Sequence, residues 1–227
     1  MIPDGLIRPV LLALVLAGLG ACGPTSPVGG SAGDAQPATV AWNEAFTKEL
    51  DLDPAAGLVD AKRGFIARPS GKIVADDGTL LHDFDAYAFV DGKAPATVNP
   101  SLWRHAIMNA QTGLFKVTEG IYQLRGFDLA NITLVEGKTG WIVIDALTAR
   151  ESASAAMAFA NRHLGPRPVS ALIFTHSHVD HFGGALGVVS AAEAARRKLP
   201  VIASEGFLEA ATSENVLVGT AMARRSI

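Results

Sequence analysis

An α/β or α+β fold is predicted for this 227-residue chain by three features of its sequence. From Gly113 onward, apolar runs of strand length come in two close pairs, followed by a long stretch of strong helix formers and one further apolar run. That last run, "VSALIFT" (169–175), ends where a dense cluster of ionisable residues begins, and a strand ending in a functional loop is where such folds place chemistry. Apolar residues make up 49% of the chain and charged residues 18%, below the usual ~25%, so the chain has material for a sizeable core and no signature of disorder.

The first element is a targeting segment. "MIPDGLIRPVLLALVLAGLGAC" carries one basic residue, Arg8, then an apolar run over 10–19, then small residues before Cys22. The run is shorter than the ~20 residues that span a bilayer and has the pattern of a signal peptide's hydrophobic region. Cys22 is the only cysteine, which excludes an internal disulfide. Its setting, "LGAC", resembles the lipobox of bacterial lipoproteins, in which the cysteine becomes the lipidated first residue of the mature chain. The expected organisation is a lipoprotein-type signal peptide over 1–21, a flexible tether over 22–38 rich in Gly, Pro and Ser, and a folded part over 39–227. The expected location is the cell envelope, with a lipid anchor in the membrane on the periplasmic side. Ordinary cleavage near Ala21, giving a periplasmic or secreted chain, is the alternative.

Within the folded part, "TVAWNEAFTKEL" predicts a helix with Thr39 as its N-cap. Residues 53–100 mix short apolar strands with turn signals at "DDG" and "DGK". "PSLWRHAIMNA" predicts a helix opening at Pro100 or Ser101. "LFKVTEGIYQLRG" and "NITLVEGKTGWIVIDA" each predict two strands joined by a glycine-containing turn. "ARESASAAMAFANRHLG" predicts a helix closed by Gly165, with His163 in its last turn facing the helix carbonyls. The net charge of −3, without a basic block, excludes a nucleic-acid footprint.

The cluster is "FTHSHVDHFGG", holding His176, His178, Asp180 and His181 within six positions, with two glycines following. In an extended loop, side chains two apart point the same way, so His176 and His178 can grip one metal ion. Asp180 and His181 fall one step further along the turn and can face a second. Imidazole with carboxylate suits zinc and its neighbours. No cysteine is near, which excludes a structural thiolate site, and catalytic sites differ from structural ones in leaving a position for water. Gly183 and Gly184 are expected to let the backbone pass close to the metal.

H-x-H-x-D-H at a strand end resembles the first metal motif of the metallo-β-lactamase fold, an αββα sandwich, of which this chain would hold the first half. "GWIVIDALT" resembles the strand preceding that motif, whose closing aspartate, here Asp145, lies just behind the metal ligands; capping of the following helix is its other possible role. The segments "ATVNPSLWRHA", "GLFKVTEGIYQLRGFDLANIT", "THSHVDHFGGALGVV" and "PVIASEGFLEAATSENVLVGTAMARR" resemble the alkyl sulfatases, the branch that hydrolyses detergent-type alkyl sulfate esters to alcohol and sulfate. That resemblance implies two zinc ions, with His176 and His178 on one and Asp180 and His181 on the other. It implies an alkyl sulfate substrate whose anionic head meets cationic groups; Arg224 and Arg225 are candidates, an exposed arginine pair at a helix end being the competing role. It also implies that the complete protein is a homodimer.

The resemblance further implies a second ligand set, two glutamates and a histidine, beyond "ENVLVGTAMARR". No histidine follows His181 here. Glu193, Glu205, Glu209 and Glu214 lie in helix-like contexts and are expected on solvated faces. The chain is therefore expected to be a fragment of roughly the first third of the enzyme, inactive alone, with apolar sheet faces lacking their cover. Two other functions fit the same residues: another hydrolase of this fold, of thioesterase or lactamase type, and a metal-binding lipoprotein without turnover.

Overall fold

The computed structural model describes residues 34–50 and 54–225. The signal-type segment 1–21, Cys22 and the tether as far as residue 33 lie outside them. A helix, α1 (Pro37–Glu49), opens the described chain. It starts two residues before Thr39, because Pro37 takes the first helical position, where its fixed φ and missing N–H cost nothing. Helix α2 (Pro54–Ala61) follows, in a stretch where the sequence predicts only strands and turns. Then come β1 (Phe65–Ala67), a separate hairpin of β2 (Lys72–Val74) and β3 (Leu80–Asp83) turning at the expected "DDG", and α3 (Pro100–Asn109). Asn99 caps α3, its side chain accepting from the amides of Ser101 and Leu102.

From here the elements follow the predicted order: β4 (Gly113–Thr118), β5 (Ile121–Arg125), β6 (Ile132–Glu136), β7 (Trp141–Ile144), α4 (Arg150–Leu164) and β8 (Val169–Ile173). With β9 (Val201–Ile202) they build a seven-stranded sheet of order β1-β4-β5-β6-β7-β8-β9. Pairing is antiparallel from β1 to β7 and parallel from β7 through β8 to β9. The change of direction follows from the connections. Short glycine turns can only make hairpins, whereas a parallel neighbour needs a crossover, which α4 supplies.

The core forms where α4 lies on the sheet. Leu114, Leu124, Ile132, Leu134, Trp141, Val143 and Leu172 turn to one face, each at most 1% exposed, and meet Ala153, Ala156, Met157, Phe159 and Ala160 of α4. Small alanines on α4 let the helix sit close, and each large side chain buried there contributes about 1.5–3 kcal/mol. On the other face, Ile142, Ile144, Ala171 and Ile173 are only half-buried. The face under α4 is therefore covered, contrary to the expectation that apolar sheet faces lack their cover. His163, exposed in the last turn of α4, also rests its ring on Phe159, centroids 4.5 Å apart.

The fold positions the site through β7 and β8. Their parallel register pairs Ile144 with Ile173, so both strands end side by side. The loops that leave them begin at Asp145 and Phe174, and the Asp145 amide donates to the Ile173 carbonyl at 2.8 Å. Beyond β8 lie the short helices α5 (Val179–Phe182), α6 (Ala185–Val188) and α7 (Ala191–Arg197). After β9 come α8 (Phe207–Thr212), a π-helical turn (Ser213–Leu217) and α9 (Gly219–Arg225).

Candidate metal centre

The loop after β8 carries the four residues singled out by the sequence, and they are gathered together. The rings of His176 and His178 lie 4.6 Å apart between centroids, and those of His176 and His181 4.0 Å apart. Asp180 and His181 stand on the single turn of α5, where Asp180 Oδ2 lies 3.3 Å from His181 Nε2.

Asp145 organises this loop from the end of β7. It is 7% exposed and sits at φ +63°, a left-handed conformation that aspartate tolerates better than most residues. Its carboxylate accepts the Thr175 amide at 2.9 Å, the Thr175 hydroxyl at 2.9 and 3.0 Å to its two oxygens, and His181 Nδ1–H at 2.7 Å. A carboxylate only accepts, so these contacts fix where the protons are. His181 donates from Nδ1 to Asp145, and its Nε2 points at Asp180 Oδ2, 3.3 Å away. Thr175 gives its hydroxyl proton to Asp145, so its oxygen takes Nδ1–H of His176 at 3.0 Å. His176 thereby also donates from Nδ1. With Nδ1 engaged in this way, Nε2 is the nitrogen each ring has left to offer a metal.

The alternative role for Asp145, capping α4, falls to Asp128. Asp128 accepts from the Thr148 amide at 3.1 Å, the Thr148 hydroxyl at 2.8 Å and the Ala149 amide at 3.4 Å, supplying the cap that Ala149 lacks. Gly183 and Gly184 also work differently from expectation. A Cβ on Gly184 would lie 2.1 Å from the Ala146 carbonyl oxygen and 2.6 Å from that of Ala149, and one on Gly183 2.3 Å from the Thr148 oxygen. Their bare backbones dock α5 and α6 onto the 145–149 loop, with Gly184 N–H donating to Leu147 O and Ala146 N–H to His181 O, both at 2.8 Å. The glycines lock two loops together, and no side chain beyond glycine fits between them.

Glu214 departs from its expected solvated face. From the π-helical turn its Oε2 accepts the Ser177 hydroxyl at 3.3 Å and lies 3.8 Å from His178 Nε2. Glu193 behaves as expected, pairing with Arg197 one turn along α7, and Glu205 and Glu209 are exposed. Arg224 is exposed, its Nε donating to Thr220 O at 3.4 Å in its own helix; the side chain of Arg225 lies outside the described residues. Thr175 and Asp128 were not singled out by sequence. The hydroxyls interleaved with the histidines in "THSH" are the signal that points to Thr175 and Ser177.

The donor set suits a zinc-like ion by chemistry: three imidazoles and a carboxylate on one loop, two of the rings already oriented. Among the described residues, no group of three or more His, Cys, Asp or Glu side chains is arranged so that it could hold a metal ion.

The metallo-beta-lactamase superfamily profile matches residues 125–221, which include the whole loop and both strands that hold it. The chain is 46% identical over 192 residues to the linear primary-alkylsulfatase of Pseudomonas sp, covering 83% of this chain and 28% of that protein. The chain carries a metallo-β-lactamase domain and is 42–46% identical to alkylsulfatases over most of its own length. The alkyl/aryl-sulfatase BDS1 of Saccharomyces cerevisiae is 42% identical over 195 residues, 85% of this chain and 30% of that one. The structure of the stereoselective inverting sec-alkylsulfatase Pisa1 of Pseudomonas sp. superposes with a TM-score of 0.80 at 45% identity, over 85% of this chain and 30% of that chain. The chain thus spans about 30% of the length of the relatives it matches, and its structure is a partial metallo-β-lactamase fold. That fold implies a metal, typically zinc.

Proposed function

We propose that the protein to which this chain belongs hydrolyses alkyl sulfate esters to alcohol and sulfate at a two-zinc centre. The observation that carries the proposal is the Asp145–Thr175–His176–His181 network, which fixes two imidazoles with Nε2 presented at the end of β8. The similarity to proteins named as alkylsulfatases supports the substrate class.

In this reading His176 and His178 hold one ion, and Asp180 and His181 the other. Bound zinc supplies a water acidic enough to act as a nucleophile near neutral pH and a positive charge opposite the sulfate oxygens. The chain's own part is orientation. Asp145 keeps the proton of His181 on Nδ1 and, through Thr175, that of His176 on Nδ1, so neither ring turns away or takes a proton on the metal side. Gly183 and Gly184 keep α5 seated, which fixes Asp180 relative to His181. Arg224 and Arg225, the last two residues of α9, remain candidates for the sulfate head on resemblance alone.

Zinc sites normally use three or four protein ligands, and the loop offers two to each ion. Residues 22–227 made alone are therefore expected to bind zinc weakly and to release no sulfate from dodecyl sulfate. The chain is proposed to reach the cell envelope through residues 1–21 and to be anchored through lipidated Cys22; homodimerisation of the whole protein is proposed on resemblance alone. Among the described residues, no helix is long and apolar enough to cross a membrane.

The test is metal content and sulfate release in the intact protein with His176, His178, Asp180 or His181 replaced by alanine. Each variant is expected to lose one zinc equivalent or most of its turnover. A variant with normal metal and rate removes that residue from the centre, and turnover of thioesters or β-lactams without sulfate release assigns the site to another hydrolase of this fold.

A further inference from the structure

The three histidines of the loop are not held alike. His181 is bonded to Asp145 and His176 to Thr175, both at the strand ends. His178 stands outside that network, its side chain 52% exposed. The carboxylate that faces it is Glu214, whose Oε2 lies 3.8 Å from His178 Nε2. The same oxygen accepts the hydroxyl of Ser177, the residue between His176 and His178. The neighbouring Asn215 donates from Nδ2 to the Ser177 carbonyl at 3.5 Å while anchored to Ala211 O at 2.8 Å.

Two consecutive side chains reaching one loop is not what a regular helix provides, since neighbours there diverge by about 100°. Residues 213–217 form a π-helical turn, wider than the α-helix on either side, and such turns recur at functional sites. The turn brings Glu214 and Asn215 from 37 and 38 positions away in sequence onto the hydroxyl and the carbonyl of one residue.

We infer that Glu214 is a positioning residue of the metal centre: it clamps the loop through Ser177 and holds His178, which lacks any strand-end partner, toward the ion it shares with His176. The inference rests on the reading of His178 as a ligand. Asp145 grips His181 directly at Nδ1, whereas Glu214 lies 3.8 Å from His178 Nε2 and acts through its hydrogen bond to Ser177. Ligand-supporting contacts of this kind are worth about 10–100-fold in metal affinity.

The experiment is zinc titration of the intact protein against a chromophoric chelator, with thermal melting of the metal-free form. Glu214→Ala and Ser177→Ala are each expected to weaken zinc binding about tenfold. Because both act through one hydrogen bond, the double variant should be no more than about twofold weaker than either single one. Glu214→Gln keeps an acceptor oxygen for Ser177 and should stay within about twofold of wild type, with the metal-free melting temperature unchanged throughout. Wild-type zinc binding by Glu214→Ala overturns the inference, and so does Glu214→Gln binding as weakly as Glu214→Ala while Ser177→Ala binds normally, which would make Glu214 a ligand itself. His178→Ala separates the two levels. Full zinc binding there overturns the ligand assignment and the inference together, whereas loss there with normal binding by Glu214→Ala overturns the inference alone.

Discussion

Replacing Asp145 tests whether the loop is oriented from behind or merely packed. The carboxylate is 7% exposed and accepts three donors, the Thr175 amide, the Thr175 hydroxyl and His181 Nδ1–H, at 2.7 to 3.0 Å. Asp145→Asn preserves the shape and the tolerance of φ +63°. One amide oxygen can still accept from Thr175, but the NH2 group then faces His181 Nδ1. His181 must move its proton to Nε2 to accept from it, and an Nε2–H cannot bind metal. Losing a charge-assisted hydrogen bond costs about 1.5–3 kcal/mol, and 1.4 kcal/mol is a factor of ten in binding, so zinc affinity should fall by roughly 10–100-fold. Asp145→Ala should do more. It strands the Thr175 amide, worth about 1–3 kcal/mol, and puts an alanine into a left-handed position that costs about 1–2 kcal/mol more. At about 2–4 °C per kcal/mol for a chain of this size, its melting temperature should drop by roughly 4–20 °C, whereas the asparagine variant should melt within a few degrees of wild type. The assays are chelator competition for zinc and calorimetric melting of the metal-free protein. Asp145→Asn with wild-type zinc affinity would refute the tautomer reasoning, and Asp145→Ala melting like wild type would refute the network itself.

Further outcomes are expected elsewhere. Gly184→Ala should destabilise the metal-free protein by about 1–3 kcal/mol, read as a lower melting temperature, because its Cβ meets two backbone oxygens that cannot swing aside. Asp128→Ala should cost about 1–2 kcal/mol by uncapping α4, and Asp128→Asn should recover most of it, since an amide oxygen can still accept from Thr148 and Ala149. Cys22→Ala should move the protein from the membrane fraction to the soluble fraction of a bacterial host; equal solubility of the two forms would end the lipidation proposal.

Much of the central sheet is legible in the sequence because its signals are local. Two hairpins announce themselves by strand-length apolar runs around glycine turns, and α4 by a long stretch of helix formers ending at Gly165. The metal loop is legible because ligand-type residues crowd into six positions. What is not legible depends on contacts distant in sequence. Asp128 caps α4 from the β5–β6 loop, 20 residues before Thr148, and no capping pattern adjacent to the helix reveals it. Gly183 and Gly184 look like room for a metal, yet the oxygens that forbid a Cβ there belong to residues 146–149. Glu214 reads as a helix face under a 3.6-residue period, and the π-helical turn breaks that period. The start of α1 slips to Pro37 because Thr39 competes as a cap with a proline two residues earlier, and the proline wins.

Sulfate release from dodecyl sulfate by the intact protein, followed before chelation, after chelation and after zinc is returned, bears on the proposed function more directly than any other measurement. Release that stops when the metal is stripped and resumes with zinc is the predicted result. No release from the zinc-loaded protein, or release that continues at the same rate without metal, would contradict it.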